Sequence, residues 1–294
     1  MFGNEMELNV EWIRNVQLAL PQTLPHMSAQ YHGVRSLTVV QTSGGSVGGI
    51  RDLSPLIESF LSLQFLSYTT LIRPGRIDTM TSRVACKRAH ASGGWKDLGR
   101  ISANVHIIRS LALQRSIRRI DIGVLGIEDL TRFQSVISEV RPTHLSLTLQ
   151  TRNWTNVAVP TVLRTAWRLT HLVLTVDIST DLVTEDVLDS PLALHAMLSA
   201  AASLTFLDIR FKCLLASESV AKHPRIQAVI DNLDMEKQAQ RCARHVPSLR
   251  FIAGEFFRSR EFFVIAESEG KASKVLTWLD EHTGNKFLRE EWRR

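Results

Sequence analysis

The chain has 294 residues, 44% hydrophobic and 22% charged, with a net charge of +6. That length suits two domains or one elongated repeat array, and that balance excludes wholesale disorder. Three scattered cysteines, Cys86, Cys213 and Cys242, have no CxxC spacing, which argues against a disulfide framework and a zinc site and fits a reducing compartment.

In chain order, Val10, Ile13, Val16, Leu18 and Leu20 predict a capping helix within a helical segment over residues 1–33. From Val34 an apolar-x-x-apolar-x-apolar motif recurs. It reads Val34-x-x-Leu37-x-Val39, Leu63-x-x-Leu66-x-Tyr68, Ile117-x-x-Ile120-x-Ile122, Leu169-x-x-Leu172-x-Leu174, Leu204-x-x-Leu207-x-Ile209 and Leu249-x-x-Ile252-x-Gly254. A seventh instance, Leu145-x-Leu147-x-Leu149, has Pro142 in place of the first apolar residue. The central residues are 29, 54, 25, 27, 35 and 45 residues apart, so one unit near residues 80–100 is expected to be degenerate or replaced by a loop.

Between the strands, three- and four-residue apolar spacing predicts helices at Leu53–Leu61, Leu130–Val140 and Leu192–Leu198, the last opened by Pro191. Arg83, Lys87, Arg88, Lys96, Arg100, Arg115, Arg118 and Arg119 read as a solvated basic loop. Phe251–Phe257 and Glu261–Ala266 read as a hairpin covering the last sheet edge. Lys271–Glu281 follows as an amphipathic helix with Val275, Leu276 and Leu279 on one face. The solenoid is expected over 34–254 and its C-terminal hairpin and helix cap over 255–294, one structural domain overall.

Alternation within the motif is the period of a strand with one buried face, and polar residues between the apolar ones (Thr38, Ser67, Asp121, Ser146, Asp208) put the other face in water. Strands of a doubly wound sheet are buried on both faces and read as continuous apolar runs. The expected fold is therefore α/β: an irregular leucine-rich-repeat-like solenoid, with a parallel sheet on the concave face, helices outside and a C-terminal hairpin cap.

The segments Trp167-Arg168-Leu169-Thr170-His171-Leu172-Val173-Leu174, Ala202–Ile209 and Val246-Pro247-Ser248-Leu249-Arg250-Phe251-Ile252 carry a resemblance. They resemble the leucine-rich-repeat proteins, in particular the F-box/leucine-rich-repeat proteins of mushroom-forming (basidiomycete) fungi, over about residues 30–270. The resemblance implies a protein-interaction solenoid, and with it the substrate-recognition half of a cullin–RING ubiquitin ligase that would bind the ligase's adaptor. Leu20-Pro21 and Leu24-Pro25 are the only dipeptides near the start that could open an F-box. Too little chain separates them from Val34 for its helices, so no F-box is recognisable.

Side chains between the apolar positions should form columns on the concave face. The first is Ser36, Phe65, Arg119, His144, His171, Phe206 and Phe251; the second is Thr38, Ser67, Asp121, Ser146, Val173, Asp208 and Ala253; the third is Val40, Thr69, Gly123, Thr148, Thr175, Arg210 and Glu255. The candidate partner-binding surface is Arg119, Asp121, His144, His171, Phe206, Asp208 and Arg210, because aromatics and Arg dominate protein interfaces. Adjacent strands lie about 4.8 Å apart, so His144 and His171 are expected side by side.

Two imidazoles without a third ligand make a poor metal site. The glycines of 44–49 lack both GxGxxG order and a Lys-Ser/Thr ending, Gly270-Lys271 is followed by Ala272 where a hydroxyl is required, and no nucleophile elbow is present. The Asn153-Trp154-Thr155 sequon reads as chance. We therefore expect no catalysis, no cofactor and no metal, and a protein partner. Nucleic acid held by the basic 83–119 region is the alternative partner. No stretch is long and uncharged enough to cross a bilayer, and the acidic start (Glu5, Glu7, Glu11) carries no secretory leader, so the expected location is intracellular, cytoplasmic or nuclear, without membrane contact.

Overall fold

The computed structural model describes residues 15–20, 30–41, 52–70, 79–150, 158–178, 198–213, 234–256, 259–267 and 274–293. Among them, eleven strands make one open, mostly parallel sheet whose spatial order is the chain order, and seven α-helices accompany it. No helix among the described residues is long and apolar enough to cross a membrane. The glycines of 44–49, the sequon, Gly270-Lys271, the early Leu-Pro dipeptides' prolines and most of the helix expected at 192–198 lie outside the described residues. The chain divides into two units, residues 1–121 and 122–294.

The first unit holds β1 (Asn15–Leu20), β2 (Ser36–Gln41), α1 (Ser54–Ser59), β3 (Phe65–Thr70), α2 (Thr79–Ala91), β4 (Arg100–Ser102), α3 (Val105–Ser110) and the first residues of β5 (Arg119–Leu125). Val16, Leu37, Leu66, Ile101 and Ile120 are successive register partners. The last four are fully buried, and so are Leu56, Ile57, Phe60, Ile107 and Ile108 of α1, α3 and the adjoining turn. Each such side chain contributes about 1.5–3 kcal/mol by leaving water. Asn104 starts α3 by accepting the Ile107 N–H at 2.9 Å, which satisfies an N–H that has no partner within the helix.

Three expectations change here. Residues 15–20 form a strand, not a helix: Val16, Leu18 and Leu20 also alternate with period two, and pairing with β2 satisfies their backbone. The gap between Leu66 and Ile120 contains one fully formed unit, α2 followed by β4, where Leu98, Ile101 and Ala103 repeat the motif and are buried. Ala103 is a small and weakly apolar third position, so this instance stands out less in the sequence than those that end in Val, Ile or Leu. Arg83, Lys87 and Arg88 accordingly lie on α2 and not in a loop.

The second unit continues β5 and adds α4 (Leu130–Val140), β6 (His144–Gln150), α5 (Ala158–Thr165), β7 (His171–Ile178) and β8 (Phe206–Cys213). It ends with α6 (Met235–His245), β9 (Phe251–Phe256), β10 (Ser259–Glu267), β11 (Lys274–Leu279) and α7 (Glu281–Arg293). Leu145, Leu172, Leu207 and Ile252 are register partners and buried. Leu130, Phe133, Val136, Ile137 and Val140 form the buried face of α4, as their spacing predicts. Gly254 sits where the motif wants an apolar side chain because Met235 of α6 fills that space, so a Cβ there would collide with the Met235 side chain.

β9 and β10 form the expected antiparallel hairpin. The sheet does not stop there: residues 274–279, expected to be helical, pair antiparallel with β10 as β11. The unpaired edge of β10 offers hydrogen bonds to a segment whose Val275, Leu276 and Leu279 fit either period. A helix the sequence reading did not assign, α7, follows directly. Asp280 starts it by accepting the Thr283 backbone N–H at 3.0 Å and the Thr283 hydroxyl at 2.6 Å. Those two bonds hold the Asp280 carboxyl below its usual range.

Candidate functional site

Within each unit the columns read from the sequence are register partners. Ser36, Phe65, Arg100 and Arg119 align in the first unit, with Arg100 supplied by the unit missed in the sequence. His144, His171, Phe206 and Phe251 align in the second. Of the seven candidate residues, Arg119 and Asp121 belong to the first unit and the other five to the second.

The sheet face of the second unit is not open to water as expected. His144, His171, Phe206 and Asp208 are 5%, 8%, 2% and 0% exposed. The imidazoles of His144 and His171 stack with centroids 4.0 Å apart. The stack runs on through Phe206 at 5.2 Å and Phe251 at a further 5.0 Å. The apolar face of α7 lies on this column: Phe287 stacks on Phe251 at 4.6 Å, and the Trp292 ring is 5.5 Å from His144 and 6.0 Å from Phe206. Phe262, Val264, Leu279 and Leu288 complete the cluster.

Each histidine is held at Nδ1 by the preceding threonine hydroxyl, Thr143 or Thr170, at 2.9 Å. Thr170 and Thr205 in turn donate to Thr143 O and Thr170 O, both at 3.1 Å, so the entry to successive strands is tied by a hydroxyl ladder. At the other ring nitrogen, His171 Nε2 lies 3.6 Å from Glu291 Oε2 of α7.

Asp208 and Arg210 sit two residues apart on one strand and therefore share a face. The buried Asp208 Oδ2 accepts from Arg210 Nη2 at 2.6 Å and from Arg260 Nη2 at 3.0 Å. Glu255 stands 3.8 Å from Arg210 and 3.9 Å from Arg260, which balances two cations with two anions. Burial opposes the Arg210 charge, and the Asp208 bond together with the fields of Asp208 and Glu255 outweighs it and raises its pKa.

The face of the first unit keeps solvent contact. Asp121 accepts from Arg119 Nε and from Arg100 Nε, each at 2.9 Å, leaving one excess positive charge on the trio. The Arg100 guanidinium lies 4.6 Å from the Phe65 ring centroid, while its side chain remains 43% exposed. Burial lowers the Arg119 pKa and the adjacent Asp121 carboxylate opposes that shift.

This arrangement stacks, clamps and pairs charges. The carboxylates of Asp121 and Asp208 are both occupied by guanidinium groups, and the histidines hold hydroxyls at Nδ1. Among the described residues, no group of three or more His, Cys, Asp or Glu side chains could hold a metal ion. Compared with known proteins, the chain matches no family model and no curated protein.

Proposed function

We propose that the chain is a leucine-rich-repeat-like solenoid that serves as a protein-interaction scaffold, and that the first unit's sheet face receives the partner. The observation that carries this reading is the row Phe65, Arg100 and Arg119 on three neighbouring strands, with an aromatic ring, an exposed guanidinium stacked on it and a second guanidinium fixed by Asp121. Aromatic and Arg side chains of this kind anchor interfaces: a ring buries much surface with few rotamers to lose, and a guanidinium already held by a ring or a carboxylate has less freedom left to lose on binding. The second unit's face, with His144, His171, Phe206, Asp208 and Arg210, is taken up by α7 and the ion cluster and acts as the scaffold's internal support.

Quantitative affinity capture with the full chain tests this. A specific, saturable partner should lose about 30-fold in affinity on Phe65→Ala with Arg100→Ala, a loss of roughly 2 kcal/mol. Lys237→Ala, on an exposed part of α6, should leave it unchanged. Partners retained equally by both variants would contradict the assignment of the face.

A further inference from the structure

The basic residues singled out in the sequence are not all used by the sheet face. Lys87, Lys96 and Arg115 instead line a separate cavity of about 360 Å³ in the first unit. Its walls are the end of α2 with Lys87 and His90, the turn through Gly93 and Lys96, and the turn after α3 with Gln114 and Arg115. None of the described lining side chains is a carboxylate. Arg115 is anchored by Nη2 donating to Leu98 O at 3.2 Å, while its buried Nε has no hydrogen-bond partner. Asp97 acts on it only through its field, and burial lowers the Arg115 pKa. A partly desolvated guanidinium without a bonded counter-ion is costly, and an anion in the cavity would offset that cost.

Cations at a helix C-terminus ordinarily answer the free carbonyls there. Here the end of α2 is already closed by backbone: Ser92, Gly93 and Gly94 N–H groups donate to Arg88, His90 and Ala89 carbonyls. The Lys87 and Lys96 ammoniums are thus left for the cavity. The turns themselves are strained. Trp95 and Ala112 have φ of 51° and 52°, a left-handed conformation that side chains disfavour, and Gly93 has φ of 98°. His90 fastens the two turns together through Nε2 against Leu111 O at 2.9 Å. Strain held in place by such contacts is characteristic of preformed binding sites.

We propose that this cavity binds a phosphomonoester, a compact dianion that Lys87, Lys96 and Arg115 can neutralise, with no carboxylate among the described lining residues. A terminal phosphate, carried by a small molecule or by a phosphorylated side chain, presents two charges at one end and suits three converging cations better than the singly charged phosphodiester of a nucleic acid, which is flanked by chain on both sides.

Calorimetric titration of the full chain tests the proposal with four probes: inorganic phosphate, a short peptide carrying one phosphoserine, the same peptide unmodified, and a single-stranded oligonucleotide without terminal phosphate. Phosphate or the phosphopeptide should bind, with affinity falling as salt rises and falling roughly tenfold in the Lys87→Gln/Lys96→Gln variant, whose two sites are exposed. Similar affinity for both probes supports a free phosphorylated compound, and tighter binding of the phosphopeptide supports a modified side chain. Binding unaffected by the double substitution, equal binding of the unmodified peptide, or preference for the oligonucleotide would overturn the proposal. Circular dichroism confirms that the variant is folded.

Discussion

His171 Nε2 stands 3.6 Å from Glu291 Oε2, and the proton on the imidazole follows from the hydroxyl ladder. The Thr170 hydroxyl donates its hydrogen to Thr143 O, so towards His171 Nδ1, at 2.9 Å, its oxygen accepts. A neutral His171 therefore carries its proton on Nδ1 and turns the lone pair of Nε2 toward the carboxylate of α7. At pH 8, Glu291→Gln should then hold or raise the melting temperature, because an amide can donate to Nε2 where a carboxylate cannot. A drop of several degrees would instead identify an imidazolium–carboxylate pair. A pH series of melting curves for the two proteins makes the comparison.

The docking of α7 covers aromatic side chains that the sheet alone would expose. Phe287→Ala removes the ring stacked on Phe251 and should cost roughly 2–3 kcal/mol in denaturant unfolding, below the value for a fully buried Phe because Phe287 keeps some exposure. Ending the chain at Asp280 should expose Phe206, Phe251 and Phe262 and produce strong binding of a hydrophobic dye.

Asp208 and Glu255 share the same two arginines and should differ sharply in effect. Asp208→Ala leaves Arg210 and Arg260 without their buried carboxylate and should cost about 3–5 kcal/mol. Glu255→Ala removes a longer, 29% exposed contact and should cost under about 1 kcal/mol. Equilibrium denaturation of both variants gives the ratio, and equal losses would show that the network is not centred on Asp208.

Cys86 and Cys242 are buried, and burial pushes both thiols up to about 12. At neutral pH they are thiols and not thiolates, so neither should be alkylated by iodoacetamide in the folded protein. Mass spectrometry of tryptic peptides should find both modified only after denaturation.

The motif made the columns legible because parallel strands that repeat one apolar pattern pair like position with like. It therefore predicts that His144 meets His171, and it places Phe206 and Phe251 in the same column, where they are register partners. What lies above a column is a different matter, since polar or aromatic between-positions do not name their cover. A signal was present: four successive instances place His, His, Phe and Phe where Ser36 opens the series, and Phe287, Leu288 and Trp292 have helical spacing after Asp280. Strands β1 and β11 look helical in the sequence because their apolar residues satisfy both periods, and only the neighbouring strand's free backbone decides between them. The cavity around Arg115 joins turns distant in sequence, so the basic residues were visible there and their convergence was not.

The first unit's sheet face, through Phe65, Arg100 and Arg119, is the proposed seat of the partner. Hydrogen exchange of the captured complex against the free chain measures this most directly. A partner on the first unit's sheet face should add protection in residues 65–70, 100–102 and 119–121 and leave the β6–β9 strands and α7 unchanged. Protection confined to the second unit, or to the helical layer of α1, α2 and α3, would contradict it.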